Sequence, residues 1–97
     1  MDLKLSKKEE DILSKIINLH NRKAAHFFLG QPISEHFISL RRKTIEKLGN
    51  LGIKLVLDFA RIDGETLCGI VKEADYERIA RTLYSHNIYI GMFVFPQ

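Results

Sequence analysis

At 97 residues the chain is sized for one domain around one core. Apolar residues make up 45% and charged residues 28%, which excludes the low-hydrophobicity, high-charge composition of a disordered chain. The net charge is +3 and lopsided: ten Lys or Arg stand against six Asp or Glu in residues 1–50, and five against six in residues 51–97.

Cys68 has no intrachain partner, so no disulfide framework is expected and a reducing, cytoplasmic setting is favoured. The N-terminal MDLKLSKKEEDIL has no apolar core of a signal peptide, and the longest uncharged run, 82–97, is too short to span a bilayer. Neither export nor membrane insertion is expected. There are no internal repeats, low-complexity tracts or linkers, so residues 1–97 are read as a single domain.

In chain order, Ser6 is a good N-cap and Glu9, three residues on, completes a capping box, so a helix begins at about Lys7. Ile12, Leu13, Ile16, Ile17 and Leu19 or His20 draw its buried stripe. Residues 18–22 interrupt the pattern without a strong stop, leaving Lys23–Leu29 as either the end of that helix or a short second one. Gly30 and Pro32 then punctuate the chain, and Ser34 caps a further helix to about Leu48, ended by Gly49. Phe37, Leu40, Thr44, Ile45 and Leu48 share its inner side, with Arg41, Arg42, Lys43, Glu46 and Lys47 mostly outside.

From Ile53 the period changes to two, with Ile53, Leu55, Leu57 and Phe59 alternating as in a half-buried strand. Asp63-Gly64 is the favoured pair for a tight hairpin, which makes Leu67–Val71 a returning strand. Asp75 caps a helix carrying Tyr76, Ile79, Ala80, Leu83 and Tyr84 on one face, with Asn87 as a left-handed stop. Ile88–Phe95 closes the chain as a strand apolar on both faces. The expected fold class is α+β in the order ααββαβ, with strands 53–62, 66–71 and 88–95 in a three-stranded antiparallel or mixed sheet.

Few residues invite chemistry. His20, His26, His36 and His86 lack HExxH spacing and a cysteine pair, so no metal site is expected. Cys68 reads as a buried structural thiol on the hairpin. Asp58, Asp63 and Glu65 cluster around that hairpin but are explained by turn and solvent face. No P-loop, GxGxxG or GxSxG string occurs. No catalytic residue and no cofactor is expected, and the chain is not read as an enzyme.

The remaining signal is an arrangement. A helix, a short helix or extension, a Gly- and Pro-containing turn, the segment SEHFISLRRKTIEKLGNLGI and a DG hairpin together resemble the winged helix-turn-helix layout over residues 6–71. The stretch KAAHFFLGQPIS lacks the Ala and Gly offsets usual in a tight helix-turn-helix. The resemblance implies a regulatory DNA-binding protein whose third helix enters a major groove, with Arg41, Arg42, Lys43 and Lys47 as phosphate or base contacts. Lys54 and Arg61 would then touch the adjacent backbone. Residues Tyr89, Phe93 and Phe95 form a leftover aromatic face, from which a homodimer through the sheet is expected. The rival reading is a protein–protein interaction module or inhibitor that engages another protein through an apolar sheet or helical surface, without nucleic acid.

Overall fold

The computed structural model describes residues 4–37 and 40–94. Over these the chain is 66% helical and contains no β-strand. The expected α+β fold, with its hairpin and three-stranded sheet, is therefore corrected to an all-helical one, and the winged-helix layout goes with it.

Helix α1 (Lys7–Ile16) starts on the capping box read from the sequence: Glu9 N donates to Ser6 Oγ at 3.1 Å and Ser6 N to the Glu9 carboxylate at 2.9 Å. It stops because Ile17 turns extended and Asn18 opens a short 3₁₀ turn, accepting a bond from Asn21 N at 3.1 Å. Residues 7–29 are thus two helices, the second being α2 (Arg22–Leu29).

The single helix expected over 34–48 is also two. Pro32, rather than Ser34, caps α3 (Ile33–His36), and Phe37 leaves the helical region. Ile38 and Ser39 lie outside the described residues. Helix α4 (Arg42–Asn50) follows from Arg41 and runs past Gly49, the chain turning instead at Gly52, whose φ is +88°. The break lets Phe37 drive inward edge-on to Phe59, ring centroids 5.3 Å apart, while Leu40 and Leu48 are buried with it.

The predicted hairpin is the main correction. Residues Val56–Arg61 form α5, because the Asp58 carboxylate accepts the backbone N–H groups of Lys54 and Leu55 at 2.9 and 3.0 Å. Asp63-Gly64 is a helix start, not a turn. The Asp63 side chain accepts from Thr66 N at 3.1 Å and from the Thr66 hydroxyl, opening α6 (Gly64–Ile70). Helix α7 (Glu73–Tyr84) forms as expected, but Lys72 is its N-cap and Asp75 is a buried third residue. Asn87, at φ 63°, is the left-handed stop anticipated from the sequence.

The residues expected as a C-terminal strand make turns. Gly91 N donates to Phe59 O and Phe93 N to Ala60 O, both at 3.0 Å, so this segment straps onto the end of α5. Opposite it, the chain around Pro32 pairs with Leu55 through Ile33 N to Lys54 O at 3.0 Å and Val56 N to Gln31 O at 2.9 Å. Short α5 is the centre of the molecule, with Val56, Leu57, Phe59 and Ala60 buried within one core contributed by every other helix. The radius of gyration, 12.8 Å, matches the value of about 12.5 Å expected for one packed domain of this length. Among the described residues no helix is long and apolar enough to cross a membrane.

Candidate functional site

The basic residues singled out from the sequence part into two groups. Arg41, Arg42 and Lys43 are exposed and gather at the first turn of α4. That turn carries no side-chain cap and no acidic residue, and none of the three cations has an ion-pair partner among the described residues. The helix dipole places partial positive charge at the same end, so three cations there oppose it and raise a local positive potential. Uncapped N–H groups and cations then converge on one spot, where an anion relieves both.

The other cations have structural partners or stand elsewhere. Lys47, one turn on from Lys43, donates through Nζ to Ile70 O at 3.0 Å and so caps the end of α6. Lys54 is exposed just before α5. Arg61 is committed to Glu9: its Nε and Nη2 reach the two carboxylate oxygens at 2.7 and 2.8 Å, and Nη2 also donates to Lys4 O at 3.3 Å. The Arg61 hydrogen bonds hold the Glu9 carboxyl below its ordinary range, and Glu9 in turn raises Arg61. With the hairpin gone, the expected contact of Lys54 and Arg61 with nucleic acid beside a recognition helix has no frame.

The aromatic face expected to build a dimer is likewise dispersed. Phe93 is only 6% exposed and belongs to the protein's own core, Tyr89 is 45% exposed, and Phe95 lies outside the described residues. Tyr89 instead tilts against Tyr84, 66% exposed, with ring centroids 5.8 Å apart. Together with Tyr76, Ala80, Arg81 and Ile88 they line a groove of about 540 Å³ between α7 and the C-terminal turns.

His36 and His86 flank Phe28, one edge-on at 5.3 Å and the other stacked at 3.7 Å. His20 and His26, read as pointing to different faces of a continuous helix, line one cleft with Glu10, Leu19, Arg22 and Lys23, because the 3₁₀ turn at Asn18 redirects the chain. Within it His26 Nε2 lies 3.1 Å from Glu10 Oε1. Sequence reasoning missed this cluster, and the signal was Asn18, a capping residue in mid-pattern. No group of three potential metal ligands occurs among the described residues. Cys68 is exposed on α6, not buried on a hairpin. Asp58 and Asp63 accept backbone N–H groups at helix starts, which accounts for both carboxylates.

Comparison of the chain with models of protein families, with curated proteins and with solved structures finds no match.

Proposed function

We propose that this protein binds the phosphate backbone of a nucleic acid through the N-terminal end of α4, as a binding protein rather than an enzyme. The observation that carries the reading is the convergence of Arg41, Arg42 and Lys43 on an uncapped helix start; the buried Asp75 carboxylate reaches that turn through the Thr44 hydroxyl at 3.4 Å but pairs with Arg78 and with none of the three cations. Three cations against the dipole cost folding stability, on the order of 0.3–1 kcal/mol each at low ionic strength, so their placement is better explained by an anionic partner than by the fold. A short helix end presented this way contacts phosphates, and phosphate contacts position without reading sequence. Winged-helix docking is no part of the reading.

The test is the triple variant Arg41→Ala/Arg42→Ala/Lys43→Ala. It should fold at least as well as the parent, since it removes charges the dipole disfavours, and it should lose duplex DNA and RNA binding together. Undiminished binding by a folded triple variant rejects the reading.

A second reading rests on the groove beside α7. Exposed Tyr84, Tyr89 and Arg81 with half-buried Ile90 have the composition of a protein-contact surface, aromatic and arginine-bearing. In that case Tyr84→Ala/Tyr89→Ala abolishes partner capture, the triple α4 variant does not, and added salt changes little.

A further inference from the structure

We propose that the outward side of α7, with the groove beside it, is the contact between two copies of this chain, their α7 helices packed antiparallel about a twofold axis. The proposal rests on the second reading above and names the partner. Helix α7 buries Asp75, Ile79 and Leu83 against the core. At about 100° of turn per residue, its opposite side carries Glu73, Glu77, Ala80, Arg81 and Tyr84, all exposed except half-buried Ala80. Exposed Tyr89 joins this side from the C-terminal turns through its contact with Tyr84.

Charge is ordered along that side. Glu73 and Glu77 stand in the first half of the helix and Arg81 in the second. A face that is acidic at one end and basic at the other is complementary to itself when turned end for end, which is what an isologous interface requires. In an antiparallel pair centred at the level of Ile79, Glu77 of each copy meets Arg81 of the other, so the contact occurs twice about the axis. Small Ala80 stands beside the axis, where a small side chain lets two helices approach closely.

Within one chain these charges are unused. Glu77 and Arg81 are four residues apart in the order that favours an ion pair along a helix, yet neither joins one among the described residues. Neighbouring Arg78, by contrast, is held by Asp75 at 3.4 Å. Tyr84 and Tyr89 offer the aromatic area that supplies affinity where subunits meet, while the charges set orientation and register. Two carboxylates against one arginine make this side a poor site for a polyanion, which separates it from the end of α4.

The experiment is sedimentation equilibrium of the full chain from about 1 to 500 µM, the range in which a small interface of this kind dissociates. The parent should fit a monomer–dimer equilibrium. Glu77→Arg and Arg81→Glu each set like charges against one another at both contacts, and each should weaken the dimer about tenfold or more. An equimolar mixture of the two variants restores opposite signs at both contacts, as does Glu77→Arg/Arg81→Glu in one chain, and both should associate like the parent. The exchanged residues are exposed, so every variant should unfold at the parent's denaturant midpoint, and lost association is not mistaken for lost folding. A parent that stays monomeric across the range, or single variants that associate undiminished or fail to rescue each other, overturns the proposal. A monomeric parent that captures a different protein through Tyr84 and Tyr89 overturns the dimer and leaves the second reading standing.

Discussion

Arg61 ties the last turn of α5 to α1 across 52 residues of sequence, through two short bonds to Glu9. Because the pair holds the Glu9 carboxyl lower in the folded protein than in the unfolded chain, its contribution is present above the unfolded value near 4.5 and is lost as pH falls through the folded one. Arg61 is partly exposed, so screening limits the pair to about 1 kcal/mol. Arg61→Ala should therefore lower the melting temperature at pH 7, and the gap to the parent should narrow as Glu9 protonates in acid. A gap that stays constant from pH 7 to strong acid would mean the loss is packing, not charge. Gly91 is the other decisive residue. Its φ is +74°, and a Cβ there would stand 2.9 Å from Ile62 O, in the strap that seals α5. Gly91→Ala should cost about 1–3 kcal/mol in denaturant unfolding.

At the level of elements, the cap at Ser6 and the stop at Asn87 were legible, whereas the caps expected at Ser34 and Asp75 and the choice between helix and strand were not. Ser6 with Glu9 marks the start of α1 in both sequence and structure, and Ser6→Ala should cost about 1 kcal/mol by chemical denaturation. The stretch Ile53–Ala60 satisfies both periods: Ile53, Leu55, Leu57 and Phe59 alternate, yet Ile53, Val56, Leu57 and Ala60 also recur at three and four, and all four are buried. What decides is Asp58, which holds the backbone N–H groups of Lys54 and Leu55 and turns the chain into a helix. Asp63-Gly64 was ambiguous in the same way, since an aspartate suits a helix N-cap as well as a hairpin, and the Thr66 hydroxyl three residues on favours the cap. Asp58→Ala should therefore loosen α5 and lower the helical signal in circular dichroism, with no gain of strand signal.

For the whole molecule, the α+β reading failed at every expected strand: the hairpin segment folds as α5 and α6, and in the apolar C-terminal run Ile88, Met92 and Phe93 fill a core built on α5 without forming a strand. The candidate site was half legible. The run Arg41-Arg42-Lys43 is visible in the sequence, but which cations have partners is fixed by distant contacts, Arg61 with Glu9 and Lys47 with the end of α6. The cleft at α2 was hidden for the same reason, because it exists only once Asn18 bends the chain and brings His20 and His26 together. The central claim is that the end of α4 meets phosphates, and counterion release measures this directly. Fluorescence anisotropy of a labelled duplex, titrated at several salt concentrations, should give a slope of log affinity against log salt of about −2.7, as for three phosphate contacts. The triple α4 variant should bring that slope close to zero. Absence of binding to duplex and single strand at low salt, or an equal slope in parent and variant, would contradict the account.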